Sequence, residues 1–152
     1  MTARLDRKRT SAGLRMSDHE AVVEANRKFY RAFESLDLEQ MEQVWLKDRQ
    51  IVCIHPGWRK LVGWGPVMES WERIFDGVFE MSFELGEVDV IMTGDLAVVV
   101  VEENLTQRGY DGTMKTQVLT TNTFERLGNQ WFMVMHHGSP VLEPPGSEPQ
   151  LQ

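Results

Sequence analysis

The chain has 152 residues, 41% of them hydrophobic, a single cysteine and a formal net charge of −7 at pH 7. That length and apolar content suit one globular domain with a real core, while an acidic balance spread along the chain excludes the basic face that a nucleic-acid binder needs. No apolar run approaches the ~20 residues of a membrane span, and the lone Cys53 forms no intrachain disulfide, so a cytoplasmic protein with no membrane partner is expected.

Residues 1–15 set Arg4, Arg7, Lys8, Arg9 and Arg15 against Asp6 and read as a disordered basic extension. Ser17 and Glu20 have the spacing of a capping box, and Val22, Val23, Ala25, Asn26, Phe29, Tyr30 and Phe33 follow at helical spacing. The helix breaks at Leu36-Asp37, where Asp37 caps a second helix burying Leu38, Met41, Val44 and Trp45. Ile51 to Ile54 is a β-branched strand stopped by His55-Pro56-Gly57. A third helix follows, with Pro66 expected at its first position and Val67, Trp71, Ile74 and Phe75 on one face.

Beyond Asp76-Gly77 the period changes from helical to alternating, which predicts five strands: Phe79–Leu85, Val88–Met92, Leu96–Thr106, Lys115–Arg126 and Gln130–Ser139. Short Gly-rich turns between them make an antiparallel meander. Leu96 to Val101 is apolar on both faces, so helices are expected on one side and a second copy of the chain on the other, a homodimer through the sheet. Residues 141–152 carry three prolines and read as a disordered tail.

A two-residue turn at Gly128-Asn129 sets Arg126 opposite Trp131, Phe124 opposite Met133, Asn122 opposite Met135 and Thr120 opposite His137. Strict alternation then makes Trp131, Met133, Met135 and His137 a cavity wall, with Asn122 and Thr120 as polar groups, and turns Phe132, Val134 and His136 outward into the subunit seam.

Two helices, a strand ending in His55-Pro56, a helix led by Gly65-Pro66 and a meander closing on Trp131 to His137 resemble the SnoaL-like branch of the nuclear transport factor two-like superfamily. The pieces that carry the resemblance are Phe124-Glu125-Arg126-Leu127-Gly128-Asn129-Gln130-Trp131 and Cys53-Ile54-His55-Pro56-Gly57-Trp58. It covers a cavity domain over residues 16–140 and implies an α+β cone-shaped barrel, three N-terminal helices packed on a strongly curved, mainly antiparallel sheet. Ketosteroid isomerases of this superfamily carry an aspartate base just before a proline at the end of the first strand, where this chain has His55, and a first-helix tyrosine that falls near Phe29 or Tyr30.

Two readings of function stand. In one, the chain is an enzyme, an isomerase, dehydratase or hydrolase. His55 is its acid or base, and His137 and Asn122 orient a small apolar or amphipathic molecule. Trp58, Trp64 and Trp71 serve as an aromatic clamp, with Met135 and the Tyr30 hydroxyl in the ligand site. In the other, the chain is a non-catalytic ligand-binding or dimerisation module, and the same groups are core and rim. Glu102 and Glu103 split across the two strand faces, and neither is assigned as a base. No motif calls for a cofactor, and no HxH or HExxH spacing calls for a metal.

Overall fold

A computed structural model of the protein describes residues 16–142, so the extension 1–15 and all but two residues of the tail 141–152 lie outside the described residues. Helix α1 (Asp18–Ser35) opens on the expected capping box: the Ser17 hydroxyl accepts from the Glu20 N–H at 3.1 Å, and the Glu20 carboxylate accepts from the Ser17 N–H at 3.4 Å. It ends at Leu36, held at φ +56°, whose N–H reaches back to the Phe33 carbonyl. Helix α2 (Leu38–Val44) starts from Asp37, whose carboxylate accepts from the Glu39 N–H at 3.0 Å. Helix α3 (Trp64–Asp76) begins two residues before the proline, so Pro66 is the third helical residue; its missing N–H is still one that the first turn leaves unpaired.

The strands are β1 (Val52–Ile54), β2 (Leu61–Val62), β3 (Val78–Thr93), β4 (Leu96–Gly109), β5 (Gly112–Leu127) and β6 (Gln130–Pro140). They form one open sheet in the order β2-β1-β6-β5-β4-β3, antiparallel throughout except for the parallel pair β1 and β6. Where two strands were expected around Gly86, the chain keeps pairing with β4 and absorbs Gly86-Glu87 as a bulge, making a single strand β3. Bulges bend the long strands, and α1 packs against β3, β4 and β6, so the sheet curls around the helices as an α+β cone that does not close.

The expected pairing of the last hairpin holds only as far as Phe124 opposite Met133. Thr123 then pairs with Met135, Asn122 with His136 and Thr121 with His137, leaving Val134 as an extra residue on β6. One extra residue exchanges the faces beyond it. His136 is therefore buried with its ring inside, while His137 is exposed on the outer face with Met135 half-buried behind it, the reverse of strict alternation.

The core joins α1 and α3 to the inner sheet through edge-to-face aromatic contacts: Phe33 lies 4.7 Å from both Trp71 and Phe83, and Phe29 lies 5.8 Å from Trp71. On β6, Gly138 lets the His55-Pro56 turn lie flat on the sheet, since a Cβ there would sit 2.9 Å from Pro56 Cγ and 3.2 Å from Val118 Cγ1. Gly138→Ala is expected to lower stability by about 1–3 kcal/mol in urea melts, because neither the proline ring nor the strand can yield freely. A loss below roughly 0.5 kcal/mol would mean that the turn is not pinned there.

Candidate functional site

The first strand ends in a tight turn in which Pro56 and Gly57 (φ +82°) take the central positions and the Trp58 N–H donates to the His55 carbonyl at 2.8 Å. The turn folds the Trp58 indole against the His55 imidazole, ring centroids 4.8 Å apart, and Trp71 closes the other side at 4.6 Å. Parallel pairing sets Cys53 beside His136 and Ile54 beside His137, which brings the His55 and His136 rings within 6.2 Å of each other. Both histidines and Glu103 line an open cavity of about 520 Å³, whose walls include Phe33, Met81, Leu105 and Val118. Trp58, Arg73 and Met114 lie at its exposed rim.

A hydrogen-bond chain runs beneath the floor. The Tyr30 hydroxyl donates to the Glu103 carboxylate, so its oxygen accepts from the Asn122 amide nitrogen at 3.3 Å. That nitrogen also donates to Asn26 Oδ1 at 2.9 Å, which leaves Asn122 Oδ1 to accept from His136 Nδ1 at 2.6 Å. In this arrangement the proton of neutral His136 is on Nδ1 and Nε2 carries the lone pair. Ser70 gives its proton to the Val67 carbonyl at 2.6 Å, so it accepts from His55 Nε2 at 2.8 Å, and His55 takes the opposite tautomer.

Burial lowers His55 to about 4 and holds His136 well below the ordinary histidine range, the neighbouring imidazoles His55 and His137 adding to the effect on His136. Both are neutral bases at pH 7. Burial raises the Glu103 carboxyl, an effect the Tyr30 hydrogen bond partly offsets. Burial and then the Glu103 charge push Tyr30 well above its usual value, so Tyr30 stays a donor. Burial also pushes the Cys53 thiol up, which makes it a poor nucleophile. Among the described residues no three His, Cys, Asp or Glu side chains converge as a metal site.

Of the residues singled out in the sequence, His55 and Trp58 line the cavity. Tyr30 and Asn122 lie behind Glu103 and His136 as their hydrogen-bond partners, and Trp71 is fully buried behind His55. Trp64 lies elsewhere, under the Lys47 ammonium at 5.6 Å in a separate surface groove, so the three tryptophans do not form one clamp. Met135 and His137 face away from the cavity, displaced by the bulge at Val134. The sequence reading missed His136, Glu103 and Arg73. The inner row Ala97, Val99, Val101, Glu103, Leu105 places a carboxylate in an apolar stripe, but the equally apolar Val98 and Val100 hid which row faced inward.

Residues 22–143 match the family described as the SnoaL-like domain. Among solved structures, a candidate dehydratase of the NTF2-like family from Streptomyces avermitilis is 34% identical with a TM-score of 0.79, over 82% of this chain and 97% of that one. A candidate calcium/calmodulin-dependent protein kinase type II association domain from Thiobacillus denitrificans is 32% identical with a TM-score of 0.68, over 78% of this chain and 93% of that one. The F-box protein SKIP8 of Arabidopsis thaliana is 28% identical over 122 residues, 80% of this chain and 50% of that protein, so the chain spans about half the length of this curated relative.

The buried histidines tie stability to pH. Unfolded, each protonates near ~6.5; folded, each resists, so the contribution of both is complete above about pH 6.5 and is lost as pH falls through the folded-state values, about 4 for His55. Each histidine adds a slope of about 1.4 kcal/mol per pH unit within its window. Glu103 has the opposite sign: its raised pKa stabilises below the unfolded value of 4.5 and that contribution is lost as pH rises through the folded one. In urea melts between pH 7.5 and 5, His136→Gln should flatten the acid loss by about one proton and Glu103→Gln should steepen it. A His136→Gln slope equal to that of the unsubstituted protein would show that His136 titrates alike folded and unfolded.

Proposed function

The chain belongs to the SnoaL-like family, and on that premise we propose that it is an enzyme that moves a proton on a small, mainly apolar molecule held over His136, Glu103 and His55. The observation that carries this reading is the buried chain from Glu103 through Tyr30 and Asn122 to His136. It holds a basic nitrogen and an acid of raised pKa on one cavity floor, and a buried polar network of this kind costs stability that an apolar core would not. His136 Nε2 takes a proton from carbon. In a dehydration Glu103, when protonated, gives its proton to the leaving hydroxyl, which departs as water while the carbon–carbon double bond forms. In an isomerisation it protonates the carbonyl oxygen, and then His136 returns its proton to a second carbon as Glu103 takes its own back from the enol. His55, fixed by Ser70 and between two indoles, shapes the floor and orients the polar end of the substrate. Dehydration or isomerisation fits this pairing, and the Streptomyces avermitilis neighbour supports the first.

Solvent-deuterium exchange tests the reading without a known substrate. Incubated in D2O with a library of ketones and β-hydroxy carbonyl compounds, the protein should speed exchange of an acidic C–H, read by NMR. His136→Gln and Glu103→Gln should each lower the rate by about 10²–10⁴, whereas His137→Gln should leave it unchanged. Loss of exchange in His137→Gln with retention in His136→Gln would sink the assignment.

A second reading, an association module, draws on the outer face of the sheet and on the Thiobacillus denitrificans neighbour. Ile91 is 64% and Leu119 50% exposed there, beside half-buried Val98, Val100 and Met135. We place the homodimer seam on this face, and a two-fold axis lets the patch cover itself. His136 and Val134, expected in the seam, are buried within the chain, so Leu119→Glu is the cleaner probe. Light scattering at micromolar concentration should show a dimer for the unsubstituted protein and a monomer for Leu119→Glu. A monomer in both, or a dimer in both, would put the seam elsewhere.

A further inference from the structure

The cavity is graded in polarity from floor to mouth. His55, His136 and Glu103 form a polar floor, Met81, Leu105 and Val118 are apolar wall, and the exposed rim carries the one cation of the lining, Arg73 of α3. The Arg73 guanidinium lies 5.8 Å from the centre of the Trp58 ring, within the ~6 Å of a favourable cation–aromatic contact. Among the described residues no carboxylate lies within 4 Å of it, although Glu69, Glu72 and Asp76 share its helix. Arg27, Arg31, Arg49, Arg108 and Arg126 are each paired with an acid, and Arg59, the other described arginine with no such pair, does not line the cavity. A cation in the last turn complements the helix dipole, but that role does not require a guanidinium laid over an indole at a cavity mouth.

Resting on the small-molecule reading of this cavity, we infer that its ligand is an amphipathic carboxylate, bound with the carboxylate on Arg73 and the apolar body along the cavity wall. The opposite orientation would bring the carboxylate to the buried floor beside the Glu103 carboxyl, where no cation lines the cavity to offset its charge. The indole holds the guanidinium fork ready, so little side-chain freedom is lost when it takes up two carboxylate oxygens. A single lining cation matches a monoanion; a phosphate monoester would bring about two charges to a site with one. Arg73 is thus a specificity-determining residue at the mouth, distant in role from the proton-moving floor.

Titration calorimetry with matched pairs tests this directly: 3-phenylpropionate, 2-naphthylacetate and octanoate, each against its primary amide. In the unsubstituted protein at least one carboxylate should bind about tenfold or more tightly than its amide, with the difference shrinking as salt is raised. Arg73→Gln should bring the ratio to near one, Arg73→Lys should retain part of it, and Arg31→Gln on α1 should change nothing. Binding of the amide as tightly as the carboxylate, no binding of any pair, a preference that survives Arg73→Gln, or tighter binding of octyl phosphate than of octanoate would each overturn the inference. The readout is binding, so a carboxylate preference without deuterium exchange would sink only the catalytic reading, and exchange without the preference only this one.

Discussion

Asn122 and Phe124 are two residues apart on β5 and both face inward, yet their partners on β6, His136 and Met133, are three apart. The residue left over, Val134, sets which side chains of the last strand enter the molecule. Met133 fills the core before it and His136 enters after it, where β1 runs parallel alongside and delivers His55 from the neighbouring strand end. Were Val134 paired in the regular ladder instead of bulged, His137 would return to the interior and the contact between His136 and Asn122 would be lost. The place of His136 on the cavity floor, its bond to Asn122 and the place of Met135 on the outer face follow from this one-residue offset.

The chain from Glu103 to His136 is stable because its principal polar contacts interlock. Tyr30 has one proton and gives it to Glu103, so Asn122 must present its amide nitrogen to the phenol and its oxygen to His136. The direction of each bond dictates the next, and a neutral imidazole with a free Nε2 results. Desolvation keeps both histidines uncharged and raises the carboxyl, so the floor holds bases and a weak acid close together without the cost of several buried charges. The aromatic contacts of Phe29, Phe33 and Trp71 surround this floor and limit water's access from the helix side.

Fold and chemistry divide between two kinds of residue in the same elements. On α1, Phe29 and Phe33 pack while Asn26 and Tyr30, on the same stripe, supply the polar chain. On β4, Val99 and Val101 pack while Glu103, next in the row, reaches the cavity. Single inward positions thus carry the polar groups of the cavity, while the strand pairing that places them is made by the backbone.

The helices and their ends were legible from local chemistry alone: the Ser17 and Glu20 capping box, the Asp37 cap and the His55-Pro56-Gly57 stop depend on residues within four positions of one another. The last hairpin was legible as far as Phe124 opposite Met133, because a two-residue turn sets the first pairs. Nothing local marks Val134 as an extra residue, and strict alternation therefore chose His137, Met135 and an outward His136. Trp64 and Trp71 were read as one clamp with Trp58 because they are near in sequence, but the helix carries them in different directions. Tyr30 and Glu103 are 73 residues apart, Asn26 and Asn122 are 96 apart, and the whole meander lies between β1 and its partner β6 in sequence. Sequence determined the elements because caps, turns and periodicity are short-range; tertiary structure alone decided the site, because its contacts depend on long-range register, where a one-residue offset turns a side chain from core to solvent.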